Sequence, residues 1–251
     1  MAITSTTKDG IAEIVMCHPP VNALTVGDTW GIRDAFVDAG NDPSVRAVIL
    51  TAEGKGFNAG IDIKEMQSVE GFEHLLGSSD ACYETFKAIY EAPVPVIAAV
   101  NDFCMGLGIG LVGSSDIIIA SNKARFGLPE VDNGALGCAS HLARLVPPLK
   151  LRQMTFTCIP ATAQELFEYG TVFRVTEPDE LRAEARKLAL HIAKKPASAV
   201  RFAKAALNHI DPHHLHTNYR LEQGYTYQLN LMGIGDQQRD AFVAKDREVT
   251  R

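Results

Sequence analysis

An α/β fold with a helical C-terminal third is the fold class that the sequence predicts, on three observations. Short apolar runs rich in β-branched residues alternate with helical stretches through the first half of the chain. Those runs are apolar on both faces, and beyond Pro147-Pro148 nearly every segment is helix-like. Strands that alternate with helices imply α/β layering, and strands apolar on both faces suit a covered, largely parallel sheet.

The alternating run Ile11–Met16 reads as a strand, which Pro19-Pro20 ends. Thr25 with Asp28 then offers a capping pair ahead of Trp30, Phe36 and Val37, which share a helical face. Residues 47–51, 94–100 and 117–120 read as further strands, separated by glycine-bearing loops and helical segments. In the last third, residues 161–169, 178–194, 197–210 and 218–231 read as helices, with 171–175 as a short strand. No low-complexity segment, long linker or fixed-period repeat interrupts the pattern. Residues 1–195 therefore read as one α/β core and residues 196–251 as a helical region.

Composition narrows the function classes. A chain of 251 residues buries a full-size core without disulfides or metals, and 46% hydrophobic with 22% charged residues is the balance of a globular chain. Its 24 Lys and Arg against 30 Asp and Glu leave a formal charge of −6. That lacks the basic surplus that phosphate-backbone binding usually requires, which argues against nucleic acid as the main partner. Five widely spaced cysteines, mostly in apolar runs, suit buried free thiols and a reducing, cytoplasmic location. Neither an export signal nor a membrane span is legible, so no membrane partner is expected.

Two glycine loops carry the chemistry. Gly108-Ile109-Gly110-Leu111-Val112-Gly113 matches a dinucleotide fingerprint as a bare pattern. The context argues against a nucleotide: Asn101 to Leu107 separate it from its strand, and no acidic residue closes the next strand to hold a ribose. In Met105-Gly106-Leu107-Gly108 a loop enters a helix, so the Leu107 N–H is an unpaired donor at the positive helix end. The same glycines also read as spacers that let a helix approach the sheet. A second loop, from Gly54 through Gly60-Ile61-Asp62-Ile63 to Met66, offers a matching N–H at Ile61. Losing one of two converging donors typically costs roughly 2.7–4 kcal/mol of transition-state stabilisation.

With these loops, Pro20-Val21-Asn22-Ala23-Leu24, Pro95-Val96-Ile97-Ala98-Ala99-Val100-Asn101, Phe126-Gly127-Leu128-Pro129-Glu130 and Asp240-Ala241-Phe242-Val243-Ala244-Lys245 complete a set. On that set the sequence resembles the crotonase (enoyl-CoA hydratase/isomerase) superfamily along essentially its whole length. The resemblance implies the family's spiral ββα core with a C-terminal helical trimerisation region. It also implies an acyl-CoA thioester as substrate, no separate cofactor, no metal, and a homotrimer or dimer of trimers with the C-terminal helices packed between subunits. Ile61 and Leu107 would hold the thioester oxygen. Asn22, Ala23, Leu24, Phe57, Ala59, Asp62, Ile63 and Gly106 would join them in binding the CoA ester. Phe242 and Lys245 read either as nucleotide contacts from a neighbouring subunit or as a packing phenylalanine and an exposed lysine.

The family's hydratases use two glutamates to position water. Here Glu130 stands at the second position and Gly110 at the first, which argues against ordinary hydration and leaves Glu130 as the catalytic carboxylate. A carboxylate at position 110 is expected to intrude on acyl space. His141 and Asp132 also depart from the hydratase pattern. His141 reads either as an imidazole turned toward the acyl group, able to carry a proton, or as a packed histidine. Asp132 reads either as a catalytic residue or as a solvated loop residue.

More narrowly, residues 49–67 and Gly127-Leu128-Pro129-Glu130 with Gly134-Ala135-Leu136-Gly137 resemble the crotonase-like hydrolases that open the last rings of the steroid nucleus in bacterial sterol degradation. This implies hydrolytic carbon–carbon cleavage of a cyclic β-dicarbonyl CoA thioester, with Glu130 as base toward water and the enolate held at Ile61 and Leu107. A single-glutamate double-bond isomerase is the alternative, and a non-catalytic CoA- or RNA-binding scaffold is the alternative of another class. Asp211-Pro212-His213-His214-Leu215-His216 lacks the spacing of a metal site.

Overall fold

The computed structural model describes residues 2–68 and 71–249, with side chains up to residue 244. The chain runs β1 (Ile3–Lys8), β2 (Ile11–Met16), β3 (Ala23–Leu24), α1 (Val26–Asn41), β4 (Ala47–Ala52), β5 (Gly60–Ile61), α2 (Ile63–Met66) and α3 (Glu73–Tyr90). It continues β6 (Val96–Val100), β7 (Cys104–Met105), α4 (Leu107–Gly113), β8 (Ile117–Ser121), β9 (Arg125–Gly127), α5 (Ala139–Leu142) and α6 (Pro148–Thr157). It ends β10 (Ala161–Thr162), α7 (Ala163–Glu168), β11 (Val172–Thr176), α8 (Leu181–Ala193), α9 (Ala197–Ile210), α10 (Leu215–Leu231) and α11 (Ile234–Val249).

The main sheet has the order β1-β2-β4-β6-β8-β11 and is parallel except for the β1–β2 pair. Successive side chains of a strand point to opposite faces, and both faces here are covered. Val48, Leu50, Val96 and Ala98 face α1 and α3 through Phe36 and Phe86. Ala47, Ile49, Ile97 and Ala99 face α8 through Leu181, Ala185 and Ala189. Each fully buried Ile or Leu contributes roughly 1.5–3 kcal/mol, so this two-sided burial fixes the register of the strands from whose ends the site loops leave.

Thr25 and Asp28 form the expected capping box on α1. The edge strand β1 was not legible, because Ile3-Thr4-Ser5-Thr6-Thr7-Lys8 is almost wholly exposed and carries no apolar run. The helix expected over 161–169 begins only at Ala163: Thr162 caps it, while Ala161 and Thr162 pair with β9. The C-terminal helices pack on their own chain, with α10 against α3 and α5 and α11 against α2 and α10. Their outward residues Leu221, Tyr225, Leu231 and Phe242 are exposed. No helix among the described residues is long and apolar enough to cross a membrane.

Candidate active site

Two strand-to-helix turns, one from β5 into α2 and one from β7 into α4, are tied together at the end of the sheet. The Phe57 and Asn58 N–H groups both donate to the Phe103 carbonyl, at 3.0 and 3.1 Å, and the Met105 N–H returns to the Asn58 carbonyl at 2.9 Å. Asn58 further accepts the Gly60 N–H on Oδ1 at 2.9 Å and donates to the Asn22 carbonyl at 2.7 Å. Gly106 donates to the Gly127 carbonyl at 3.1 Å. The next N–H, that of Leu107, opens α4 and has no carbonyl one turn back within the helix to accept it. Asp62 donates to the Leu24 carbonyl at 2.9 Å, and alternation along β5 turns the Ile61 N–H the other way. Ile61 and Leu107 line one cavity, together with Ala59, Gly60, Ile63 and Gly106.

Gly106 has to be glycine. Its φ is +55°, and a Cβ there would lie 2.7 Å from Glu130 Oε1 and 3.6 Å from the Gly60 Cα. The same close approach brings Glu130 against the two donor turns. Its backbone is fixed by a turn in which the Asn133 and Ala135 N–H groups donate to the Glu130 carbonyl at 3.0 and 2.9 Å. The Glu130 side chain lines the cavity, and its buried Oε2 has no hydrogen-bond partner among the described residues. Burial pushes this carboxyl up to about 8, and the nearby Glu222 carboxylate adds to the rise.

The cavity, about 150 Å³ in volume, offers on the order of ten times the space that one enclosed water needs. Its remaining walls come from helices distant in sequence. Leu75, Ser78 and Cys82 of α3, Tyr219, Gln223 and Thr226 of α10, and Arg239 of α11 all line it. None of these was among the residues singled out from the sequence. Positions 219, 223, 226 and 230 do share one helical face and are all buried. That face mixes polar and apolar residues, so hydrophobic periodicity does not announce it. Thr226 Oγ1 accepts from the Leu136 N–H at 2.9 Å and donates to the Leu136 carbonyl at 2.5 Å, which ties α10 to the turn carrying Glu130. Glu222 accepts the Ala139 and Ser140 N–H groups at 2.8 and 2.6 Å, and so caps α5.

Several sequence expectations are corrected. His141 is 1% exposed and does not line the cavity. It is wedged edge-on against Phe86 and Tyr219, with centroids 4.7 and 5.1 Å away. Burial, with the Arg144 charge, pushes its pKa down to about 3, which keeps the ring neutral. Position 110 does not face acyl space either, because a Cβ on Gly110 would overlap the Phe86 ring at 2.0 Å. Gly108 and Gly113 meet Cys104 and His141 in the same way, so the bare fingerprint is a close-packed core helix. Asp132 is exposed beside Cys158 and does not line the cavity.

Of the residues expected to bind CoA, Phe57 and Leu24 are wholly buried in the core. Asn22 has its amide committed to the Glu53 and Gly56 carbonyls at 2.8 and 2.7 Å. Asp62 caps α2 by accepting the Lys64 and Glu65 N–H groups. Ala23 is half-buried on β3, outside the cavity lining. Phe242 is half-exposed on α11, and the side chain of Lys245 lies outside the described residues. His213 pairs with Asp211 at 2.7 Å and His216 with Glu91 at 3.2 Å, so the histidine run diverges. Among the described residues no cluster of metal-ligating side chains forms.

Comparison with known proteins decides the family. The enoyl-CoA hydratase/isomerase profile matches residues 6–243. The chain belongs to this family, the crotonases. Its fold is that of a solved enoyl-CoA hydratase/isomerase from Xanthobacter autotrophicus, with a TM-score of 0.88 and 28% identity over 99% of this chain and 93% of that one. A relative from Rhodococcus jostii is 51% identical over 97% of this chain and 95% of its own length. One from Mycobacterium tuberculosis is 51% identical over 98% of this chain and 100% of its own. Both relatives are named (7aS)-7a-methyl-1,5-dioxo-2,3,5,6,7,7a-hexahydro-1H-indene-carboxyl-CoA hydrolase. This crotonase is thus an enzyme, and a backbone-built carbonyl site with one unpartnered carboxylate beside it is the chemistry its cavity offers.

Proposed function

We propose that this crotonase hydrolyses a carbon–carbon bond in the ring of a cyclic β-dicarbonyl CoA thioester of the steroid-derived, dioxo-indene class. One observation carries the reading: Glu130 is the single carboxylate lining the cavity among the described residues, beside the two donor turns. The 51% identity to two dioxo-indene-carboxyl-CoA hydrolases supplies the substrate class. The thioester oxygen sits between the Ile61 and Leu107 N–H groups, with Ala59, Ile63 and Gly106 against the thioester end of the CoA.

Glu130 takes a proton from water, whose hydroxyl adds to a ring ketone carbon. The bond from that carbon to its neighbour breaks, and its electron pair passes into the thioester enolate held by the two N–H groups. The proton on Glu130 then returns to carbon. One water is consumed, one carboxylic acid forms, and the thioester survives. A pKa raised by burial suits this role, because the carboxylate is a stronger base than in water.

In the same reading, residues 1–195 carry the base and the two donor turns, and residues 196–251, whose α10 and α11 also wall the cavity, form the assembly region of a cytoplasmic trimer or dimer of trimers. The exposed Leu221, Tyr225, Leu231 and Phe242 supply apolar area for subunit contacts. Double-bond isomerisation needs no more than a single carboxylate, so it remains the rival. Incubation with a cyclic diketone CoA thioester followed by mass analysis separates them. Ring opening gives a gain of one water with CoA still attached; release of free CoA, or an unchanged mass, overturns it.

A further inference from the structure

Arg239 is a buried cation that the reaction above does not use. It is 8% exposed and lines the cavity, and among the described lining residues it and Glu130 are the charged pair. Nε donates to Gln67 Oε1 at 2.9 Å and Nη2 to Asn230 Oδ1 at 2.7 Å, while Asp236 approaches Nη2 from a largely exposed position. No acceptor among the described residues is bonded to Nη1, which leaves two N–H donors unclaimed.

The helix that carries Arg239 abuts the turn that carries Glu130. Gly134 of that turn is so close to α11 that a Cβ would meet the Ile234 carbonyl at 3.0 Å. Gln67 clasps the same helix from α2, receiving Arg239 Nε and donating to Asp240 Oδ1 at 2.6 Å. A guanidinium held at Nε and Nη2 is preorganised, and its Nη1 donors are left to take an acceptor from the cavity. It shares its cavity with Glu130, Ile61 and Leu107, so it stands at the reacting end of the site.

We infer that Arg239 is the specificity-determining residue for the acyl group: it binds a ring carbonyl oxygen of the substrate and the carboxylate that hydrolysis makes from it. This rests on the ring-opening reading above. That reaction turns a neutral ketone into a carboxylic acid that ionises, so the product carries a negative charge that the substrate lacks. A charge-assisted contact with a fixed guanidinium strengthens along that course. An acyl group without the second oxygen leaves the donors unpaired and is bound less well.

The test compares a cyclic diketone CoA thioester with the matching carbocyclic thioester that lacks the ketone, on full-length wild type, Arg239→Lys and Arg239→Met. Dissociation constants are measured by calorimetry and turnover by mass analysis. Wild type should bind the keto ester at least about tenfold more tightly than the deoxy ester. Arg239→Met should weaken the keto ester by about tenfold to a hundredfold and leave the deoxy ester within about threefold, with Arg239→Lys between. Equal weakening of both esters would show a clasp on α11 and nothing more, which overturns the inference. Equal wild-type affinities overturn it even if the variants fail to fold. Absence of ring opening by wild type, with the keto preference and its loss in Arg239→Met intact, overturns the hydrolase reading and the product contact and supports the ketone contact.

Discussion

The wall of the cavity built from the β5–α2 and β7–α4 turns works through its backbone, whereas the wall built from α3, α10 and α11 works through side chains. The first presents N–H groups that only a substitution to proline removes, and its demands on sequence fall on glycines that allow close approach. The second presents Tyr219, Thr226 and Arg239, any of which a single mutation changes. Glu130 stands where the two walls meet, on a turn bonded to α10 through Thr226 and pressed against Gly106.

The largest effect belongs at that junction. Glu130→Gln keeps the shape and loses the base, so kcat should fall by about 10²–10⁴-fold while CoA-ester affinity is nearly unchanged. In wild type, kcat/KM should rise with pH and level off above about 8, where burial has placed the carboxyl, because the base acts only when ionised. Stability runs the other way. A carboxyl raised in the folded state stabilises it below its ordinary value of 4.5, and that contribution is lost as pH rises through about 8. Glu130→Gln should therefore melt at a higher temperature than wild type above pH 8, with the gap closing toward pH 4.5. Melting curves that coincide across that range would mean Glu130 is not buried in solution.

Gly106→Ala probes the backbone wall. The added methyl must displace Glu130 Oε1 and is strained at a φ of +55°. A misplacement near 1 Å can cost about a hundredfold in turnover, so single-turnover rates should drop by about that factor with the protein still folded. Unchanged rates would separate Glu130 from the donor turns.

The smallest effect on chemistry is expected at His141. Its ring fills space between Phe86 and Tyr219, so His141→Ala should cost about 2–4 kcal/mol of stability through the cavity it leaves. The folded fraction should keep its kcat within about twofold, read by active-site titration against thermal melts. A larger fall in a well-folded variant would return the imidazole to the mechanism.

The sequence alone determined the alternation of strands and helices, since apolar runs and their alternation are local properties of the chain. It likewise marked the Ile61 and Leu107 turns, because a strand leading through glycine into a helix leaves an N–H donor wherever it occurs. Glu130 was legible by its motif. Tertiary structure alone decided what each remaining polar residue does. His141 and Arg239 are both polar residues on helices, and no local pattern tells a neutral imidazole packed against Phe86 from a guanidinium at a cavity wall. Likewise, that Gly110 faces Phe86, 24 positions earlier in the chain, depends on how α3 crosses α4. Burial and partnership are set by contacts between distant segments, and those contacts give a side chain its charge state and its role.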